Sequence, residues 1–189
     1  MNTLENHYHH RLQGMQSLKQ QSDAGLFSVL SVSLTNRGND GGDVHQTVNI
    51  DNHDNIANIN TNAGWNSWNS VWDYGNGFVA TRVFAKKVCY VNRLNKNLVP
   101  SIQQLAQFTK DKKAPQCAPP RTLQYAATKT PAQDLARYGK PIEVLCRGIP
   151  TYLAEEVQGA SFFQHVEGCL NAGILHLLDI NICIEGLLL

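Results

Sequence analysis

The sequence predicts an α+β fold: an antiparallel sheet of about five strands flanked by two helices. Short runs rich in β-branched and aromatic residues are spaced along the chain, and two segments carry apolar residues at helical spacing. Their order is β-β-α-β-α-β-β, and a length of 189 residues suits one domain with an attached segment. No apolar run approaches the roughly 18 residues that a membrane-spanning helix needs.

Three segments of the chain differ in composition. Residues 1–42 are polar and end in a cluster of Asn, Asp and Gly, which predicts a disordered tail. Residues 43–70 are rich in asparagine and predict a hairpin, and residues 71–185 predict the folded domain. The tail shows no clear signal peptide, because its short apolar run, residues 25–34, lies late and follows Asp23.

The Asn-rich segment predicts two polar strands joined by a turn at residues 51–55. Val48 and Ile50 alternate with polar residues before this turn, and Ile56 and Ile59 continue an apolar pattern after it. A period of two is typical of a strand with one buried face. We therefore expect an Asn-rich β-hairpin that precedes the main sheet.

Five further runs account for the strands of the predicted sheet. Residues 78–84 and 87–94 are β-branched and aromatic, and we expect them to form a pair of adjacent strands. Residues 122–128, 152–157 and 173–183 predict the other three. The last of these is apolar enough to be a central strand.

The first helix is predicted after Ser101. Ile102, Leu105 and Phe108 recur at helical spacing and would form one apolar face. The lysines that follow suit a helix C-terminus, where the helix dipole favours positive charge.

The second helix is predicted from a capping motif. Residues 130–133, Thr-Pro-Ala-Gln, have the form of a capping box with proline at the first helical position. The helix should then start at Asp134, jog near Gly139 and end before Pro150.

The composition and the motifs argue against several function classes. Sixteen Lys and Arg oppose 15 Asp and Glu, a net charge of +1, so no global field attracts a nucleic acid or an anionic membrane. The sequence carries no G-x-S-x-G, P-loop, G-x-G-x-x-G or H-E-x-x-H motif. We therefore predict a binding protein that is not an enzyme, needs no cofactor or metal, and has neither a nucleic-acid partner nor a membrane span.

The five cysteines are too widely spaced for a zinc ribbon or a C-x-x-C redox site: Cys89, Cys117, Cys146, Cys169 and Cys183. This spacing suits either long-range disulfides or isolated buried thiols, and the residues alone leave both open. The odd number leaves one cysteine over. Cys117 is the candidate for an intermolecular thiol, because it lies in a proline-rich loop beside several lysines.

Aromatic and acidic residues cluster before the predicted strand pair. Trp65, Trp68 and Trp72 recur at spacings that suit either an aromatic face for stacking on sugars or rings that cover a core. Asp73 lies among aromatic residues, where a carboxylate can have a functional role, but it also precedes the turn-forming residues 75–77. Both interpretations of each motif stay open.

Four segments resemble the BRICHOS domain in order and spacing: VWDYGNGF at 71–78, CYVNR at 89–93, VPSIQQL at 99–105 and LCRGIPTY at 145–152. Within that family, further segments are similar to the gastrokines, namely residues 47–52, 62–70, 147–156 and 168–173. The resemblance covers about three quarters of the chain, from residue 40 to residue 185.

The resemblance implies a secreted protein of the gastric mucosa that holds aggregation-prone segments as a chaperone does. It also implies a role in epithelial proliferation or mucosal protection. The family's aspartate and cysteine pair fall on Asp73, Cys89 and Cys146, which implies one disulfide, and a second gastrokine disulfide is matched by Cys169 and Cys183. The partners implied are extracellular protein or peptide clients, mucins or a trefoil peptide.

Two binding functions are therefore expected. In the first, a sheet face carrying Phe78, Ala80, Val88 and Tyr90 beneath a movable helix accepts an extended apolar segment. In the alternative, the protein is a mucosal glycan-binding module that uses the Asn-rich hairpin and the three tryptophans, since amides and flat rings suit sugars.

Overall fold

One ten-stranded sheet organises the part of the chain that the structure describes. The structure is a computed structural model that describes residues 29–37, 43–111, 121–158, 169–175 and 177–184. The strands are β1 (Val29–Arg37), β2 (Asp43–Asp51), β3 (Ile56–Asn62), β4 (Trp68–Asp73), β5 (Phe78–Val83), β6 (Val88–Arg93), β7 (Arg121–Pro131), β8 (Thr151–Glu156), β9 (Leu170–Ile174) and β10 (Leu178–Ile184). The helices are α1 (Ile102–Asp111) and α2 (Lys140–Cys146).

The sheet is mixed and larger than predicted. Its strand order is β1-β2-β3-β4-β5-β6-β8-β7-β10-β9. The first six strands form an antiparallel meander, whereas β8 is parallel to β6 and β10 is parallel to β7. The α+β class with two helices is confirmed, but the antiparallel sheet of about five strands is wrong. The number of strands is larger mainly because β1 and the Asn-rich strands β2 and β3 belong to the same sheet as the later strands.

Part of the predicted tail and the whole predicted hairpin belong to this sheet. β1 lies within the segment assigned to a disordered tail, and it pairs with β2 from Val29↔Asp51 to Arg37↔Asp43. The hairpin of β2 and β3 has the expected turn, but β3 continues directly into pairing with β4. The remainder of the predicted tail, residues 1–28 and 38–42, lies outside the described residues.

The predicted final strand, residues 173–183, is two strands. A turn after β9 returns the chain antiparallel as β10, with Leu177 N donating to Ile174 O at 2.8 Å. Leu175 occupies the left-handed region with φ of 50°, and its side chain is buried. The sequence at this turn lacks the Gly, Pro and Asn residues that usually mark a reversal, so its periodicity predicts one continuous strand.

The capping box occurs at α1 and not at residues 130–133. Gln104 N donates to Ser101 Oγ (3.2 Å), and Ser101 N donates to Gln104 Oε1 (2.9 Å). The predicted box instead lies at the end of β7, which runs through Pro131. The second helix is correspondingly shorter than expected, with a 3-10 turn (Leu135–Tyr138), a break at Gly139 and then α2.

Neither helix is long. α1 has ten residues and α2 has seven. Within the described ranges, no helix is both long enough and apolar enough to cross a membrane.

The two helices lie on opposite faces of the sheet. We call the face packed against α1 the α1 face; its buried strand residues include Val48, Ile50, Ile59, Trp72, Val79, Tyr90, Leu123, Tyr125, Ile180 and Ile182. The other is the α2 face, where Val71, Ala80, Cys89 and Val91 pack against Tyr138, Ile142 and Cys146. In β5 and β6, for example, successive side chains alternate between these faces, as the pleat requires.

A buried glutamine links the two ends of the sheet. Gln46 of β2 donates from Nε2 to Thr61 Oγ1 (2.8 Å) and to Gly173 O of β9 (2.9 Å). Its Oε1 accepts from Leu175 N at 2.9 Å. Because β2 and β9 lie far apart in the strand order, this one side chain joins strands that backbone pairing does not connect.

Gln46→Ala should lower the free energy of unfolding by about 1–3 kcal/mol, because it leaves the buried Leu175 N without its acceptor and removes the donor to Gly173 O. Chemical denaturation under non-reducing conditions measures the change. The exposed Gln103 of α1 provides the matched control, and Gln103→Ala should change stability by less than about 0.5 kcal/mol. Equal effects of the two substitutions would contradict the proposed role of Gln46.

Candidate functional site

The aspartate and two of the cysteines singled out in the sequence lie around α2. Asp73 ends β4 and is 2% exposed, Cys89 lies in β6, and Cys146 ends α2. Cys89 and Cys146 form a disulfide with a Cα–Cα distance of 5.6 Å, across 57 residues of sequence. The bond therefore ties α2 covalently to the sheet.

Asp73 organises the turn that follows it. Its Oδ1 accepts from Asn76 N (2.8 Å), its Oδ2 accepts from Asn76 Nδ2 (2.7 Å), and its carbonyl accepts from Gly77 N (2.8 Å). Asp73 is thus a turn-initiating residue, one of the two interpretations left open by the sequence. It is also buried, so its carboxylate depends on these donors for the hydrogen bonds that water would otherwise supply.

The same carboxylate lies against the residue that precedes α2. A Cβ at Gly139 would lie 2.5 Å from Asp73 Oδ2 and 2.8 Å from Asn76 Nδ2. Gly139 also has φ of 107°, where side chains are strained. Its carbonyl accepts from Glu143 N at 3.0 Å and so joins the first turn of α2. Only glycine fits between Asp73 and this turn.

The opposite end of α2 is held by a second set of contacts. Arg82 Nη1 of β5 donates to Leu145 O at 3.2 Å, next to the Cys146 disulfide. Just before α2, the Tyr138 ring of the 3-10 turn meets the Phe78 ring edge to face at 5.0 Å, and within the helix Ile142 is buried against the sheet. α2 is therefore fixed to β4, β5 and β6 at both ends and along its length.

The exposed side of α2 carries a small ionic cluster. Glu143 accepts from Lys140 Nζ (3.0 Å) and from Arg147 Nη2 (2.7 Å). These hydrogen bonds hold the pKa of the Glu143 carboxyl below its usual value. Val144 is exposed beside them. Exposed pairs of this kind add little to stability, so the disulfide and the buried contacts carry the attachment.

α1 is attached differently, through apolar packing on the α1 face. Ile102, Leu105 and Ala106 are buried there, whereas the glutamines on its other side are exposed. Tyr74 Oη donates to Pro100 O at 2.9 Å and positions the loop that leads into the helix. The described residues of α1 include no cysteine, so no disulfide joins this stretch to the sheet.

Polar groups on the α1 face are mostly paired within the sheet. Trp72 Nε1 donates to Ser70 Oγ (3.1 Å), which lies 3.0 Å from Thr81 Oγ1. Burial raises the pKa of the Tyr125 hydroxyl to about 12, against a smaller lowering by its hydrogen bond with Asn92. Asn92 Oδ1 is buried and has no hydrogen-bond partner among the described residues. This carbonyl is an unsatisfied acceptor on an otherwise apolar face.

The three tryptophans do not form one surface. Trp68 and Trp72 are buried in the core of the α1 face, whereas Trp65 lies in a 3-10 turn and is 86% exposed. The interpretation of these rings as a joint sugar-stacking face is therefore wrong. Trp68 and Trp72 lie on one strand, four residues apart, and so point to the same buried face, whereas Trp65 lies before that strand.

The predicted client-binding set is also divided between faces. Val88 and Tyr90 lie on the α1 face, but Phe78 and Ala80 lie on the α2 face. The register explains this result, because Ala80 is paired with Val91 and not with Tyr90. The expectation of one face carrying all four residues is wrong.

The remaining cysteines have different positions. Cys169 and Cys183 form a disulfide with a Cα–Cα distance of 4.1 Å, which ties the start of β9 to β10. These are the partners that the family resemblance implies. Cys117 lies outside the described residues. Across the described ranges, no group of three or more His, Cys, Asp or Glu is placed to hold a metal ion.

Sequence reasoning missed two residues that position α2. Gly139 appeared only as a jog in a longer helix, and Arg82 had no assigned role. A glycine directly before Lys-Pro at a helix start was an available signal, because proline at the first turn marks the start and glycine permits the preceding φ. The long-range contact of Arg82 with Leu145 has no local signal.

Comparison with known proteins gives consistent matches. The BRICHOS domain matches residues 64–153. The chain is 47% identical to gastrokine-1 of Homo sapiens over 73% of this chain and 77% of that protein. It is 45% identical to gastrokine-1 of Mus musculus over 84% and 92%, and 34% identical to gastrokine-2 of Rattus norvegicus over 77% and 82%. No solved structure matches the chain.

The contact between Asp73 and Gly139 can be tested with three glycine variants. Gly139→Ala should lower the free energy of unfolding by roughly 3 kcal/mol or more, because it combines a clash with a strained φ. Gly64→Ala has φ of 60° but open space, and should cost about 1 kcal/mol. Gly75→Ala, 3.4 Å from Asp73 Oδ1, should change stability by about 0.5 kcal/mol or less.

Denaturation curves of the three oxidised variants measure this order. If Gly139→Ala cost no more than Gly64→Ala, the close approach of Asp73 to the start of α2 would be wrong.

Proposed function

The chain belongs to the gastrokine family of BRICHOS-domain proteins, and on that premise we propose that it is a secreted, non-enzymatic protein of the gastric mucosa that binds aggregation-prone segments as a chaperone does. The binding surface is the α1 face of the sheet. The wider role, through such clients, is mucosal protection or restraint of epithelial proliferation.

One observation carries this proposal: the two helices are attached to the sheet by different means. α2 is tied to β6 by the Cys89–Cys146 disulfide and is held tightly at Gly139. α1 is held by the packing of its apolar side. The α1 face can therefore be uncovered without disturbing α2 or breaking a covalent bond.

The free energy of uncovering is modest compared with that of unfolding. Burial of a side chain the size of Ile102 or Leu105 contributes about 1.5–3 kcal/mol, and α1 buries few such residues. Local openings of this scale occur in native proteins below the free energy of global unfolding. A client segment would replace the contacts that α1 loses. The free energy of binding a similarly apolar client would therefore offset the free energy of displacing α1.

The chemistry of the α1 face favours an extended apolar client. Val79, Tyr90 and Leu123 offer branched and aromatic surface on neighbouring parts of the sheet. The unpaired Asn92 Oδ1 would accept a hydrogen bond from a peptide N–H, which an extended segment presents and a helix uses internally. Segments of this kind are also those that form β-aggregates.

Two disulfides support action outside the cell. Cys89–Cys146 and Cys169–Cys183 are bonds that persist in oxidising compartments. Extracellular protein or peptide clients are the partners proposed first, and mucins or a trefoil peptide are further candidates through the family. Cys117 is proposed as an intermolecular thiol, because the other four cysteines are paired.

Loosening of α1 should increase client binding. Leu105→Ala removes a 1% exposed side chain from the helix and should cost about 2–5 kcal/mol of stability while favouring the open state. The expected result is stronger suppression of fibril growth by a synthetic β-sheet-forming peptide, followed by thioflavin T fluorescence. Hydrogen exchange should show α1 amides losing protection before those of α2.

The matched control is Ile142→Ala in α2. Ile142 is 0% exposed, so the substitution should destabilise the fold to a similar extent. Because it lies on the α2 face, fibril suppression should stay at the wild-type level when both variants remain folded. If Ile142→Ala enhanced fibril suppression equally, the enhancement would come from general destabilisation of the fold and not from opening of the α1 face.

Non-reducing peptide mapping of the full chain expressed in mammalian cells tests secretion and the cysteine assignments together. Protein in the medium should contain the Cys89–Cys146 and Cys169–Cys183 pairs, with Cys117 linked to another molecule. A link from Cys117 to one of the other four cysteines would contradict the intermolecular role. Five free thiols, found only in the cell lysate, would contradict the secreted, oxidised state.

A further inference from the structure

An open pocket lined by polar and aromatic residues lies near the end of β2, β3 and β4, beside the turn that joins β5 and β6. Its volume is about 360 Å³, and it is lined by His45, Thr47, Asn60, Thr61, Asn62, Ser67, Trp68 and Phe84. We propose that this pocket binds a neutral sugar unit of a glycan, through amide and hydroxyl groups on one wall and the ring of Phe84 on the other.

A ligand cannot bind in this pocket as an added strand, because both strands of its wall, β2 and β3, are already paired on both sides. β2 is paired with β1 and β3, and β3 is paired with β2 and β4, so their backbone groups are used within the ladders. A ligand here must be recognised by side chains. The polar ones are amides, hydroxyls and the His45 imidazole, and amides and hydroxyls both donate to and accept from sugar hydroxyls.

The register of the strands places these polar groups together. Thr47 is paired with Asn60 and His45 with Asn62, so the four residues form two adjacent cross-strand pairs. The side chain of Asn60 makes no hydrogen bond with any residue that the structure describes, and it is exposed. Its amide is available to a ligand.

The side chain of Asn62 is contacted by Ser67. Ser67 Oγ donates to Gly64 O (2.7 Å), accepts from Ala63 N (3.0 Å) and lies 3.4 Å from Asn62 Oδ1. The same serine thus closes the turn after β3 and orients the amide. Preorganised polar groups lose little entropy when a ligand binds.

Phe84 supplies the flat surface that sugar rings favour. Phe84 is a large hydrophobic residue in the β5–β6 turn, and its side chain is 48% exposed. Arg82 lies over its ring, with Cζ 5.7 Å from the centroid, and the same guanidinium donates to Leu145 O. The ring is therefore fixed on the fold while much of it stays open to solvent.

The size and charge of the pocket narrow the ligand. Among the described residues its lining contains no Lys, Arg, Asp or Glu, and the Arg82 guanidinium that lies over the Phe84 ring already donates to Leu145 O. Ligand pockets commonly measure about 300–1,000 Å³, and this one is near the lower limit. Both points favour a single neutral pyranose unit at the end of a chain.

Titration of the full chain with methyl β-galactoside and with methyl N-acetyl-β-glucosaminide, followed by amide NMR, tests this site. At least one of these neutral sugars should produce saturable shifts at Asn60, Asn62 and Phe84. Phe84→Ala and Asn60→Ala should each weaken binding about fivefold to tenfold, as expected for loss of an aromatic or amide contact. N-acetylneuraminic acid, which is charged, should bind more weakly.

Two controls match these variants. Trp65→Ala removes an aromatic ring that is more exposed than Phe84 but does not line the pocket, and Asn58→Ala removes an amide of β3 outside it. Both should bind sugar as the wild type does. Absence of saturable shifts, shifts centred on Trp65, preferential binding of the acidic sugar, or wild-type affinity in folded Phe84→Ala would each overturn the proposal. Fibril suppression by Phe84→Ala should be unchanged, which separates this site from the α1 face.

Discussion

The close contact between Asp73 and Gly139 is the constraint on which the arrangement of the helical side of the domain depends. The buried carboxylate of Asp73 lies where a Cβ of residue 139 would be, so the residue that precedes α2 has to be glycine. The disulfide between Cys89 and Cys146 then fixes the other end of the same helix. One aspartate and two cysteines, distant in sequence, thus define the position of one short helix. The positions of these three residues have a structural reason that does not require chemistry at the aspartate.

This attachment makes the two faces of the sheet unequal. On the α2 face, seven helical residues are restrained by a covalent bond, a steric fit and a hydrogen bond from Arg82. On the α1 face, a longer helix relies on packing and on its capping box at Ser101 and Gln104. A rigid side and an exchangeable side are what a protein needs if it is to hold a client without losing its own fold. The pocket at Phe84 is outside both helix contacts, so the sugar binding proposed there would be separate from the binding of a client.

Residue periodicity and composition predicted the strands and helices whose formation depends on their own residues. Val48 and Ile50 alternate visibly, the β5 and β6 strands are rich in β-branched residues, and α1 has a clear apolar side. The errors arose where a non-local interaction decides the outcome. The tail segment 29–37 becomes a strand because β2 offers it an edge, and Leu175 turns the chain within an apolar run because Gln46 accepts its N–H from another strand. The site followed the same rule: the family motif located Asp73 and the cysteine pairs, whereas Gly139, Arg82 and the pocket at Phe84 depend on contacts that only the folded chain brings together.

The position of β10 has a consequence for how the protein is made. β10 is inserted between β7 and β9, and it pairs with β7 in parallel, so one edge of β7 has no partner until residues 178–184 have been synthesised. The bonds from Gln46 to Gly173 and Leu175 likewise span 127 and 129 positions. Contacts of such long range form late and slowly. A nascent chain therefore exposes an unpaired strand edge from the completion of β7 until β10 has been made, and such edges promote aggregation. Until β10 is in place, the unfinished sheet therefore presents the same kind of open edge as the extended segments proposed as its clients.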